Sequence, residues 1–280
     1  MDIAAIRKLM AAAGDPSELP SCSIRWRARE TSRWLGRSMR SVFRCRLISV
    51  EWPWLVHSAG HPCVTLFGVQ VILTAIDDGL AEAWSQFCGQ LDFVIVHRGS
   101  ILDLQCDAVV SPANSFGFME GGVDASYLKY FGAGIGAKVR KIIAERYHGE
   151  MLVGTAEIVE TGDERIPHLI VAPTMRVPMV LTETVNPFLA ARAVFLLIKH
   201  GHFSAGTYAG EPIAERIKCV AFPGLGTGVG RVGPGTSAHQ MRAAIEEVVL
   251  GRRTSPRSWV EASEQHQLLY TTRMRRLQHD

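Results

Sequence analysis

Two glycine-bearing loops, each placed between an apolar run and a helix-like pattern, constrain this chain more than any other feature. The first runs from Ser111 to Asp124 (Ser-Pro-Ala-Asn-Ser-Phe-Gly-Phe-Met-Glu-Gly-Gly-Val-Asp) and follows the apolar run Ala108-Val109-Val110. The second spans Phe222 to Pro234 and contains Gly224, Gly226, Gly228 and Gly230. Backbone N–H groups at a helix start are free to meet an anion, and glycines let a phosphate approach them closely. A single such loop is a weak signal. Two loops in the same strand–loop–helix setting predict a phosphate-bearing ligand held between them.

The rest of the chain allows this. With 280 residues, 47% hydrophobic and 20% charged, it can bury a large core. A net charge of +3 argues against a nucleic-acid or membrane partner. The six cysteines form no C-x-x-C pair and no zinc-ligand spacing, so no metal site is expected. Buried free thiols in a reducing, cytoplasmic compartment are the expectation, and no secretory signal is read at the start.

Residues 1–68 show neither helical nor strand periodicity after an Ala-rich start. Arg25, Arg27, Arg29, Arg33, Arg37, Arg40, Arg44 and Arg46 crowd this segment, with Glu30 the only acid among them. An organelle presequence, a basic arm for nucleic acid and a poorly ordered extension all fit, the last being favoured. Trp52 to Ile76 lacks charge, but its prolines, glycines and histidines make it a poor membrane span.

From Val69 the pattern alternates strand and helix. Strands are expected at Val69–Ile76, Phe93–His97, Asp107–Val110, Gly154–Thr161, His168–Pro173 and Ile217–Phe222. Helices are expected from Asp78 to Cys88, capped by Asp77; from Ala125 to Phe131; from Gly134 to Tyr147; from Asn186, as cap with Pro187 in the first turn, to His200; and from Gly235 or Thr236 to Leu250. Residues 252–280 read as a basic tail, helical in part. Alternating elements with apolar strands predict an α/β layered fold with a mixed central sheet, and ligands beyond the strands' carboxyl ends.

The loops narrow the ligand. Asn114 carries an amide that donates and accepts, suited to a pair of ribose hydroxyls. Asp124 falls in the first helical turn, where it is either a chemically active carboxylate or simply an acid favoured by the helix dipole. The second loop has no G-K-[ST] and no G-x-G-x-x-G register, which excludes a triphosphate P-loop and a dinucleotide fingerprint. A diphosphate held mainly by backbone remains.

The run Asp107-Ala-Val-Val-Ser-Pro-Ala-Asn, leading to Gly121-Gly122-Val123-Asp124, resembles the macro-domain motif D-A-I-V-N-A-A-N … G-G-G-V-D. Pro223-Gly-Leu-Gly-Thr-Gly-Val-Gly230 resembles that family's second phosphate loop. The similarity covers roughly Val69 to Gly251. It implies a three-layer α/β/α macro-domain fold over 69–251 that binds ADP-ribose or an ADP-ribosylated protein without a cofactor. In one branch of the family it also implies hydrolysis of ADP-ribose from proteins or from its 1″-phosphate; a non-catalytic reader is the alternative.

Carried over by position, Asn114 would hold the distal ribose and Asp124 would orient or activate a water. Ala113, Gly121, Gly122 and Val123 would line the ribose and diphosphate on one side. Gly224, Gly226, Thr227, Gly228, Val229 and Gly230 would wrap the diphosphate from the other, while Ser100 and Ile101 would meet the adenine. Several positions depart from the pattern. Ser100 stands where the family has an aspartate, leaving Asp77, Asp78 or Asp103 as alternative partners for the base. Ser111 replaces an asparagine, Glu120 replaces a glycine, and the second loop lacks its aromatic, for which Phe116, Phe118 or Tyr127 could stand in.

Overall fold

The strand sequences pack because most of their residues are apolar, and both sheet faces are covered. A computed structural model describes residues 68–252 and 255–275. They belong to a unit running from Ala59 to Asp280. The readings made for residues 1–67 lie outside the described residues.

Six strands form one sheet: β1 (Gln70–Ala75), β2 (Val94–Arg98), β3 (Ala108–Ser111), β4 (Glu157–Glu160), β5 (His168–Val171) and β6 (Cys219–Phe222). Their spatial order is β2-β1-β6-β3-β5-β4, all parallel except β4, which runs antiparallel to β5 at the edge. The helices are α1 (Asp78–Cys88), α2 (Gly122–Phe131), α3 (Gly134–Tyr147), α4 (Asn186–His200), α5 (Ile213–Arg216), α6 (Pro234–Ala244) and α7 (Trp259–Leu268). A π-helical turn, Ile245–Val249, extends α6.

Strand alternation divides the core into two layers. Val71 and Leu73 of β1 point to the layer with Trp84, Val194, Phe195 and Met241, which belong to α1, α4 and α6. Ile72 between them points the other way, to Tyr127, Ile135, Val139 and Ile143 of α2 and α3. The sheet is therefore sandwiched, giving the expected three-layer α/β/α architecture with a mixed sheet. A buried polar group on each side finds a carbonyl: Trp84 Nε1 donates to Thr74 O at 3.2 Å, and Tyr127 Oη to Val110 O at 3.0 Å.

The helix starts show where local chemistry sufficed. Asp77 caps α1 as expected, its Oδ1 accepting from Leu80 N at 2.9 Å. Replacing it with alanine should cost about 1 kcal/mol in denaturant unfolding, while serine should keep most of that stability. Asn186 does not cap α4. Val185 occupies that position, and Asn186 Nδ2 instead donates to Thr174 O at 2.8 Å, tying the helix to the end of β5. A tertiary acceptor won over the local cap. The predicted Gly154–Thr161 strand shrinks to β4 because Leu152 to Thr155 closes a turn, with Thr155 N bonded to Leu152 O.

Candidate functional site

The two loop-bearing strands, β3 and β6, are parallel neighbours, so both loops leave the same edge of the sheet side by side. Asp107 fixes their alignment. Its Oδ2 accepts from Lys218 N at 2.7 Å and Cys219 N at 2.8 Å, stitching the start of β3 to the start of β6. Together with the ends of β1 and β2, the loops enclose a cleft of about 680 Å3. Ser100, Ile101, Ala113, Asn114, Gly121, Gly122, Val123, Asp124, Gly224, Gly226, Thr227, Gly228, Val229 and Gly230 all line it.

The first loop is held from outside. Thr174 Oγ1 donates to Pro112 O, Thr174 N to Ala113 O, and Ser115 N to Met175 O. It then enters α2 through Gly121 and Gly122. Gly122 has φ +59°, the left-handed region that disfavours other residues. Gly121, at the cap position, has no side-chain capping bond, so no side chain competes there for the first-turn N–H groups of α2. In the second loop the buried Gly226 turns the chain with φ +72°, and Val232 N closes back onto its carbonyl. Thr227 folds over Gly224, where an added Cβ would also meet Leu80 Cδ2 at 2.7 Å. Gly228, by contrast, faces open space.

Asp124 is the charged group of the cleft with the most unusual surroundings. It is 7% exposed, and burial pushes its carboxyl up from the usual range to about 6, against the opposing pull of a hydrogen bond from Ser111 Oγ at 2.7 Å. Such a carboxyl passes between acid and base near neutrality, which is what proton transfer requires.

Asn114 behaves differently from the sequence expectation. Its Oδ1 accepts from both Phe116 N and Phe118 N, and its Nδ2 donates to Phe118 O at 2.7 Å. Both lone pairs of the oxygen are thus used within its own loop, leaving one N–H for a ligand. It can donate to a ribose hydroxyl but not also accept from one.

The structure also sorts the alternatives. Asp77 lines the cleft; Asp78 is ion-paired with Arg98 at 2.6 Å, and neither Asp78 nor Asp103 lines the cleft. Tyr127 cannot stand in for the missing aromatic: it is fully buried, with its hydroxyl on Val110 O. Phe116 lies under Arg176, 5.3 Å from its guanidinium carbon, away from the cleft lining. Phe118 is 52% exposed and lines the cleft. Glu120 is exposed and does not line it, so its charge is kept off the ligand space.

Sequence reasoning missed one wall. Met175 and Pro178 line the cleft, and the segment they begin closes onto the second loop through Leu181 N to Gly230 O at 2.7 Å. Nothing in the periodicity of these residues marked them. Ile76, expected as the last strand residue, is 85% exposed and also lines the cleft; its apolar side chain beside a cap aspartate is the available signal. Among the described residues, no group of three His, Cys, Asp or Glu could hold a metal ion.

Residues 110–241 match the family model described as Macro domain. A protein of Aquifex aeolicus (strain VF5), described only as uncharacterized, is 33% identical over 158 residues, covering 56% of this chain and 81% of the relative. Similar solved structures include the macrodomain of Mycobacterium tuberculosis DarG, at 19% identity and TM-score 0.44 over 55% of this chain and 90% of that one. Another is the Oceanobacillus iheyensis macrodomain with ADP, at 16% identity and TM-score 0.42 over 53% and 72% of the two chains. The chain belongs to the macro-domain family.

Proposed function

We propose that the cleft binds ADP-ribose, free or attached to a protein, and that the chain hydrolyses the bond at the distal ribose. The observation that carries this is the convergence of two glycine loops from adjacent parallel strands on one cleft, with a buried carboxyl, Asp124, in its lining. The diphosphate would sit between the loops against backbone N–H groups, and Asn114 would donate its remaining N–H to the distal ribose. Water would attack C1″ and give its proton to Asp124. The bond from C1″ to the acceptor oxygen would break, the leaving oxygen taking the bonding pair and then a proton.

Calorimetric titration with ADP-ribose tests binding: no heat of binding at millimolar ligand would end this reading. Turnover carries a pH signature. Asp124 must be ionised to accept a proton, so release of ADP-ribose should rise tenfold per pH unit below its transition and level off above about pH 6. A flat profile from pH 5 to 8 would remove Asp124 from the chemistry.

A second reading, a reader that binds without turnover, is favoured by one feature. Asn114 is committed to its own loop and so offers the ribose less than a full amide. A hydrolysis time course on a modified protein separates the two.

A further inference from the structure

The hydroxyl of Ser111 ends β3 at a position the strand's alternation assigns to the α2 side of the sheet, two residues after the buried Val109. Its backbone is fixed on the opposite edge of the loop, where Ala172 N donates to Ser111 O at 3.0 Å. Ser111 is 1% exposed and does not line the cleft. It reaches only inward, to Asp124 Oδ1 at 2.7 Å. Asp124 Oδ2 takes no side-chain donor among the described residues. It is also not among the buried side-chain atoms left without a partner, so it stays open to solvent, and Asp124 lines the cleft.

We propose that Ser111 is a positioning residue for Asp124: its buried hydroxyl holds one carboxylate oxygen so that the other is presented to the cleft. This deepens the reading of Asp124 as the base and rests on it. A carboxylate on an otherwise uncapped first helical turn can rotate about its side-chain bonds. One hydrogen bond from a fixed strand end removes that freedom and favours the ionised form over the protonated one.

The titratable groups around the pair do not compete for this role. Tyr127, on the same helix, directs its hydroxyl to Val110 O and is held neutral by burial. Cys106, beyond Tyr127, is likewise kept as a thiol by burial. Among the described residues no cationic side chain reaches the carboxyl, and Ser111 is the one side chain there that favours its ionised form.

The test follows the carboxyl directly, by carbon-detected NMR titration of Asp124 in the full chain, with the Asp124→Asn variant identifying the signal. Ser111→Ala should move the transition up by about one pH unit, the worth of a hydrogen bond to a charged group. The half-maximal pH of ADP-ribose release should move with it, while affinity for ADP-ribose at pH 8 stays within about threefold, as for a residue outside the cleft. Ser111→Thr keeps the hydroxyl and should restore the wild-type transition. If the alanine variant does not fold, Ser111→Cys, a weak donor of similar size, gives the same comparison.

An unmoved transition in the alanine or cysteine variant, or a threonine variant titrating like alanine, overturns the proposal. So does an affinity loss as large as the kinetic change, which would make Ser111 a ligand contact. A wild-type protein that binds ADP-ribose but never releases it from a substrate ends the hydrolytic reading alone, because the carboxyl titration still decides what Ser111 does.

Discussion

Asp124→Asn is expected to abolish turnover while making the protein more stable at neutral pH. Loss of a positioned base costs about 10²–10⁴ in rate, and the isosteric amide removes it without opening a cavity. The stability effect follows from linkage. The folded carboxyl is raised from 3.8 to about 6, so between those values the native state binds more protons than the unfolded chain. Unfolding free energy therefore falls as pH rises through this window, by about 3 kcal/mol, and stays lower above it. Asparagine carries no charge to bury and can still bond Ser111. The variant should gain up to about 3 kcal/mol over wild type at pH 8 and nothing near pH 4, as urea titrations at the two pH values would show. An Asp124 that merely braced the start of α2 would give the opposite result, with the variant less stable at pH 8 and no less active.

Gly228→Glu should weaken ADP-ribose binding by at least about 100-fold, or about 2.7 kcal/mol, and leave folding untouched. An added Cβ at Gly228 meets nothing within 4 Å, and the residue lines the cleft. The new carboxylate would thus stand where the loops offer N–H groups to a diphosphate, adding like-charge repulsion and bulk in one step. The thermal midpoint should stay near wild type because no neighbour has to move. Gly224 is the poor choice for this experiment. A Cβ there would drive into Thr227 and meet Leu80 Cδ2 at 2.7 Å, so lost binding could not be told from lost structure. Calorimetry and a melting curve on the Gly228 variant settle the point: unchanged affinity would move the diphosphate out of this loop.

How much of this was legible in the sequence depends on whether the deciding contact is local. The cap of α1 by Asp77, the bounds of α3 from Gly134 to Tyr147, and the placement of both glycine loops after strands were all readable. Each follows from a few consecutive residues. That the two loops themselves line the cleft was suggested for the same reason, since each loop is contiguous in sequence. The role of Asn186 was not, because its acceptor, Thr174 O, is set by how α4 packs against the end of β5. Nor was the Met175–Leu181 wall, whose place is fixed by a bond to Gly230 nearly fifty residues on.

The sequence by itself determined the alternation of strands and helices, the two anion-friendly loops and the acid at the first turn of α2. Backbone conformation, side-chain period and capping chemistry are properties of neighbouring residues. Only the tertiary structure decided that β3 and β6 lie side by side, that Asn114 spends its oxygen on its own loop, and that Asp124 is buried against Ser111. The last matters most, because burial, only partly offset by one hydrogen bond across thirteen residues, turns an ordinary helix-start acid into a carboxyl that titrates near neutrality.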